Sequence, residues 1–213
     1  MYKSIATLYI PISLCAMSGC TPADSDRAAV PAPAYAVLDD QSSQLRDDFN
    51  RHRGSVRLLF VIDPICPGCL RGIDDMNKDL LAKSSDPRLR TFVVHVPVIG
   101  ATRKDIIPSM KLLQNPHVRH YWNGSGAFGR ELARAVGLRR GDELVYAWDV
   151  WLLYGPEAVW DDSGPPQPRV LMHQLWELQE NEDFPFLDSE VFAQQTSQLL
   201  ARLPPPASTP NSE

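Results

Sequence analysis

The tightest constraint on this chain is a change of period at one point along it. Residues 55–62, "SVRLLFVI", form an unbroken apolar and β-branched run, which predicts a strand buried on both faces of a parallel sheet. From Pro67 onward, Leu70, Ile73, Met76, Asn77, Leu80 and Leu81 recur every three or four residues, which predicts a helix with one apolar face. Between the two stands "DPICPGC", residues 63–69, with two cysteines separated by two residues. In open α/β sheets, reactive groups gather where the carboxyl end of a strand meets the next helix's N-terminus. Cys66 sits at such a junction.

The alternation continues downstream. "DPRLRTFVVHVPVIG" (86–100) holds a second buried strand, and "RKDIIPSMKLLQ" (103–114) a helix that Pro108 bends or starts. "PHVRHYW" (116–122) reads as a third strand. "SGAFGRELARAVGL" (125–138) reads as a helix with Phe128, Leu132, Ala135 and Val136 on one side and Gly137 to stop it. A fourth strand is expected over 143–154, a turn at 155–157, and a fifth strand hairpinning back over 158–160. Helices are expected over 169–179 and 188–203. The fold class is therefore α/β, a three-layer α/β/α sandwich around a mixed sheet of about five strands.

A chain of 213 residues, 44% apolar, supports one domain with a sizeable core, placed at 46–203. A formal charge of −5 with no basic stripe argues against a nucleic-acid surface. Several of the 19 prolines fall in "AAVPAPAYAV" (28–37) and "LPPPASTPNSE" (203–213), which read as extended, solvated tails, the second occupying 204–213.

The first twenty residues stand apart from the fold. Lys3 precedes an apolar stretch from Ile5 to Met17 that is short for a bilayer span, and small residues then lead to Cys20. "MSGC" resembles the cleavage box of bacterial lipoprotein signals. The resemblance implies a signal peptide over 1–19, lipidation of Cys20, and a flexible linker over 20–45 that tethers the domain to the membrane. Thr21, in place of the Asp that signals inner-membrane retention, hints at the outer membrane, with the domain facing the periplasm.

Of the four cysteines, Cys15 would leave with the signal and Cys20 become a thioether, so Cys66 and Cys69 alone stay as thiols. A loop this short restricts the unfolded chain very little, which argues against a structural staple. The first turn of a helix presents unpaired N–H groups and the positive end of its dipole, which favours a thiolate. Pro67 suits the first helical position, having no N–H to leave unpaired and a φ already helical. Cys66 is then the cap-position nucleophile, and Cys69, one turn deeper, resolves a mixed disulfide by attacking it.

Strand, Cys-Pro-Gly-Cys, helix and the later order of elements resemble the thioredoxin superfamily over roughly residues 54–180. The lead-in "VIDPICPGC" is similar to periplasmic disulfide oxidases and isomerases, which often place Asp three residues before the first Cys. "FGRELARAVGL" and "YGPEAVW" look more like membrane-tethered thioredoxin-like reductases and peroxiredoxins. The resemblance implies thiol–disulfide exchange on protein clients, with Cys66 as nucleophile and Cys69 as resolver. Two positions depart from the pattern. The family's cis-proline, which faces the sulfurs, is replaced in "VYAWDVW" by Ala147 and Trp148. The acid that thioredoxin buries six positions before the first Cys is here Phe60. Asp63 is a candidate proton relay, or a turn and cap residue before Pro64.

Competing readings use the same cysteines. Cys66 and Cys69 supply two ligands of the four zinc prefers, and His95, His117, His120 and His173 form no compact second pair with them. Copper or mercury binding is the alternative, although copper-delivery proteins of this fold usually space their cysteines by three. His95, mid-strand, reads more simply as a satisfied core or edge histidine. Peroxidase chemistry lacks its Pro-x-x-x-Thr-x-x-Cys arrangement. A redox-inert envelope protein, with both sulfurs sealed beneath Trp148, is the third reading. No nucleotide or flavin motif is present, so no cofactor is expected and electrons must pass to or from a partner protein.

Overall fold

The computed structural model describes residues 35–113 and 115–205. The signal segment, Cys20, the linker as far as residue 34 and the tail from 206 lie outside the described residues. The elements run β1 (Tyr35–Val37), α1 (Ser43–Arg51), β2 (Val56–Ile62), α2 (Pro67–Met76), β3 (Leu89–His95), α3 (Arg103–Met110), β4 (Val118–Trp122), α4 (Ala127–Val136), β5 (Arg139–Arg140), β6 (Glu143–Leu144), β7 (Val150–Tyr154), β8 (Val170–His173) and α5 (Ser189–Ala201).

Six strands form the main sheet in the order β1-β4-β3-β2-β7-β8, while β5 and β6 make a separate two-stranded ribbon. β1, β4, β3 and β2 run parallel; on the other side of β2, β7 is antiparallel to it and β8 antiparallel to β7. All seven residues of β2 are buried, as a continuous apolar run at a sheet's centre requires. Its period of two divides the core. Leu59 and Val61 pack with Phe49 of α1 and Phe128 and Leu132 of α4, while Leu58, Phe60 and Ile62 pack with Ile73 and Met76 of α2 and Phe192 of α5. Each such large apolar side chain contributes about 1.5–3 kcal/mol when fully buried. The result is the expected three-layer sandwich, with six strands rather than five.

The boundaries differ from the sequence expectations in ways with physical causes. Residues 35–45, assigned to a flexible linker, belong to the domain: Tyr35–Val37 pairs with His120–Trp122, and Leu38 and Leu45 enter the core. Three apolar residues suffice for an edge strand when a partner strand supplies the ladder. The long strand expected over 143–154 is broken, because Asp149 takes a left-handed backbone at φ 49 and only Val150–Tyr154 continue in the sheet. The fifth strand is Val170–His173, not 158–160, so a strand occupies the start of the helix expected over 169–179. Pro165, Pro166 and Pro168 have no N–H to donate to a ladder, and pairing resumes only beyond them. A short apolar run such as "VLM" does not tell strand from helix by periodicity.

The helix after the cysteines ends as α2 at Met76 and passes into one wider turn, Asn77–Leu81, whose Ala82 N–H reaches back to the Asn77 carbonyl at 2.8 Å. α4 buries Phe128, Leu132 and Val136 as expected, with Ala133 in the place assigned to Ala135, and Gly137 closes it at φ 70. No helix among the described residues is long and apolar enough to cross a membrane.

Candidate active site

β2 delivers the chain to its carboxyl end at Ile62, and the turn "DPI" carries it into α2. Asp63 is fully buried, and both its oxygens accept backbone N–H groups: Oδ1 from Ile65 at 3.0 Å and Oδ2 from Ile99 at 2.8 Å. Its carbonyl also accepts the N–H of Cys66 at 3.1 Å. Of the two roles open to Asp63, this is the geometry of a turn clamp. It ties the loop before the cysteines to the loop after β3, and holds Ile65 and Ile99 half-exposed beside the site, at 40% and 50%.

Cys66 is the N-cap of α2, with extended backbone (φ −75, ψ 118), and Pro67 occupies the first helical position. The Cys69 N–H donates to the Cys66 Sγ at 3.4 Å, so the sulfur takes the place of the usual capping oxygen. Both cysteines are free thiols. Cys69 is sealed in the core at 0% exposure, and Cys66 keeps 8%, at the surface end of the same apolar cluster. The pair divides one proton between unequal sites. Hydrogen bonding from the Cys69 thiol, helped by the N–H groups of Cys69 and Gly68, pulls the Cys66 pKa down to about 6, against burial and the Asp63 charge. Burial, then the hydrogen bond to Cys66 and the charge of Asp149, push the Cys69 thiol far above the ordinary range. Reduced protein is therefore expected to show a thiolate ultraviolet band with a midpoint near pH 6, absent from Cys66→Ser. A midpoint near that of an ordinary cysteine, about 8.5, would contradict the cap geometry.

Across from the sulfurs stands a residue that the sequence reading passed over. Asp149 is buried, in the left-handed region, immediately before β7. A carboxylate oxygen of Asp149 and the two sulfurs all lie within 4.8 Å of one another. Burial and then repulsion from the Cys66 thiolate raise its pKa to about 7, against the nearby Cys69 thiol, the Trp151 indole and the charge of Arg71. A Cβ at position 68 would stand 3.3 Å from Asp149 Oδ2 and 3.6 Å from Cys66 Sγ, so Gly68 lies directly between carboxyl and sulfur and keeps that space uncrowded. Gly72, one turn on, is the stricter requirement, since a Cβ there would overlap the Trp151 indole, meeting Cζ2 at 2.5 Å.

The two residues expected to face the sulfurs in the family's proline position behave differently. Ala147 belongs to the core on the α1 and α4 side of the sheet, its N–H bonded to Gly129 O at 3.2 Å, so it does not face them. Trp148, half-buried, packs against both core clusters, including the one that holds the cysteines. Every described peptide bond is trans. Strand parity was the available signal for Asp149. In "DVWLLY" positions 149, 151 and 153 alternate onto one face, and Trp151 and Leu153 do lie with the cysteines. The positive φ at Asp149 breaks that alternation and turns Ala147 the other way.

The histidines are occupied elsewhere. His95 and His120 are buried and share a hydrogen bond, Nε2 to Nδ1 at 3.2 Å. His173 accepts the Leu175 N–H at Nδ1 and donates from Nε2 to the Phe184 carbonyl, while His117 pairs with Arg90. Among the described residues none of the four joins the two sulfurs within 4.8 Å.

No protein-family model matches the chain, and no curated protein matches it. Solved structures that follow a similar course include a thioredoxin-family thiol:disulfide interchange protein of Chlorobium tepidum, 12% identical with a TM-score of 0.44 over 70% of this chain and 83% of its own. The exposed lipoprotein thioredoxin of Streptococcus pneumoniae is 15% identical, TM-score 0.42, over 70% and 88%. A secreted disulfide oxidoreductase of Mycobacterium tuberculosis is 12% identical, TM-score 0.40, over 70% and 85%. At such identities the likeness concerns the path of the chain alone. This chain places β2 at the centre of a mixed sheet, antiparallel β7 beside it, and the cysteine pair at the N-terminus of the helix that leaves β2.

Proposed function

We propose that the protein performs thiol–disulfide exchange on protein clients, with Cys66 as attacking thiolate and Cys69 as resolving thiol. One observation carries the reading: the Cys66 sulfur caps α2 and accepts the Cys69 N–H, which stabilises its thiolate at the outer edge of a buried pair. The thiolate attacks a client disulfide and forms a mixed disulfide. Cys69 then attacks the Cys66 sulfur, releasing the client and closing the protein's own disulfide; the reverse sequence oxidises a client. Ile65 and Ile99, held half-exposed by Asp63, offer apolar contact to a client segment beside Cys66. A partner protein regenerates the pair.

The placement in the cell rests on the first twenty residues. The chain is exported by the signal over 1–19 and anchored in the bacterial envelope through lipidated Cys20. Residues 20–34 serve as the tether, and the domain runs from residue 35 to 203 and faces the periplasm.

One observation favours the redox-inert reading: both cysteines are buried, with Trp148 packed on their cluster. Equilibration in glutathione buffers decides between the two. The expected result is reversible interconversion of dithiol and intramolecular disulfide, followed by mass and by alkylation of free thiols. Thiols that stay reduced and unalkylated at every glutathione ratio would overturn the exchange reading.

A further inference from the structure

We infer that Asp149 is a catalytic residue of the proposed exchange: its carboxylate takes the proton from Cys69 as that thiol attacks the mixed disulfide. The inference deepens the exchange reading and rests on it. The position normally expected to supply a buried acid under the motif holds Phe60, packed between Trp151 and Phe192. Asp63 cannot substitute, since both its oxygens are engaged by backbone N–H groups.

Asp149 differs on each count. Its Oδ1 is buried with no hydrogen-bond partner, and its carboxyl shares a space under 5 Å across with both sulfurs. Its backbone is held in the left-handed region, with its carbonyl accepting the Gln174 N–H at 3.0 Å. Asp is among the few non-glycine residues that settle in that region, so the turn fixes the carboxyl there without a glycine. A buried carboxyl without a full set of partners carries a desolvation cost. An unpartnered carboxylate oxygen buried beside the reactive pair points to function rather than packing.

The charged and polar groups around it explain the timing. Cys66, Cys69 and Arg71 face it from α2, and the Trp151 indole from β7. In the reduced protein the Cys66 thiolate repels the carboxylate and keeps Asp149 partly protonated near neutral pH. Once Cys66 is bonded to a client sulfur it carries no charge, and the carboxyl ionises more readily. A base thus becomes available at the moment Cys69 needs one, and Cys69 does need one because burial holds it as a thiol.

The step balances as follows. The carboxylate removes the Cys69 proton, the Cys69 sulfur bonds to the Cys66 sulfur, and the bond from Cys66 to the client sulfur breaks. The client sulfur leaves with the electron pair. The protein pair is oxidised by two electrons and the client reduced by two. Asp149 is left protonated and passes its proton to the departing thiolate or to water.

The test is stopped-flow reaction of the reduced full chain with Ellman's reagent, which releases one chromophore on attack by Cys66 and a second on resolution by Cys69. Asp149→Asn is the informative variant, since Asn accepts the left-handed backbone and removes a buried charge. The bimolecular first phase should stay within about threefold of wild type, while the concentration-independent second phase slows about 100-fold, the scale of a lost general base. The deficit should shrink as pH rises and hydroxide takes over, and Asp149→Glu should recover part of the rate. Thermal stability of Asp149→Asn should equal or exceed that of wild type, which a purely structural role would not produce. A second phase within about threefold of wild type at every pH would overturn the assignment. A wild-type protein showing no first phase above Cys66→Ser would defeat the exchange reading itself, so the two failures are distinct.

Discussion

Cys66→Ser is expected to abolish the proposed exchange, and Cys69→Ser to convert the protein into a trap that holds its client covalently through Cys66. The asymmetry follows from the cap. In Cys66→Ser the remaining thiol is sealed in the core and held protonated by burial, so it neither meets a client nor attacks one. A thiol with a pKa three or more units above ambient pH is thiolate in about one molecule per thousand, so a loss of about 1,000-fold or more is expected. In Cys69→Ser the cap sulfur keeps the backbone N–H of that position, and the introduced hydroxyl replaces the S–H as donor, so Cys66 still has a lowered pKa and trapping proceeds. Resolution then depends on external thiol. Intramolecular attack carries effective molarities of about 10⁵ M and above, so the mixed disulfide should persist through gel separation without reductant. Retention of a tenth of wild-type exchange by Cys66→Ser, or no covalent adduct with Cys69→Ser, would remove the basis for the reading.

Arg57→Met is expected to lower the unfolding free energy by about 3–5 kcal/mol, among the larger losses available to a single substitution. The guanidinium is fully buried, with Nη1 donating to Phe49 O at 3.2 Å, Nη2 to Gly155 O at 2.6 Å and Nε to Ser55 O at 3.3 Å. It also lies 4.3 Å from the Phe49 ring centroid. One side chain thereby ties the end of α1, the turn into β2 and the exit from β7. Burial pulls its pKa down to about 10, which leaves it charged at neutral pH. Removing it strands three carbonyls, and hydrogen bonds to a charged group are worth about 1.5–3 kcal/mol each before losses to context. Arg57→Lys should lose most of the same stability, because an ammonium does not span the fork. Arg57 sits at the far end of β2 from Cys66, so the thiolate midpoint of either variant should be unchanged. Urea unfolding and the ultraviolet titration check the two halves, and a stability loss under about 1 kcal/mol would show that the carbonyls find other partners.

The site was legible in its nucleophile and much less so in its acid. "DPICPGC" announces the pair, the cap and the first helical turn, because all three depend on residues within seven positions of one another. Asp63 could be read two ways from the sequence, and its partner Ile99, 36 residues away, supplies the geometry of a clamp. Asp149 stood in plain view in "VYAWDVW", yet nothing local says that its carboxyl meets two sulfurs eighty residues upstream. Ala147 and Trp148 stand out instead, because the pattern that the sequence resembles has a proline there.

The sequence alone determined the central strand, the cysteine pair at its end and the alternation of layers. These follow from period, composition and short-range capping, which act along the chain. The tertiary structure decided the edge strand at 35–37, the strand at 170–173, the face on which Ala147 lies and the approach of Asp149. Each of those depends on a partner distant in sequence: a strand edge that accepts three residues, or a glycine at 72 that lets α2 draw near Trp151. Apolar periodicity carries no information about which distant surface will be waiting, and at this site that surface holds the charge facing the sulfurs.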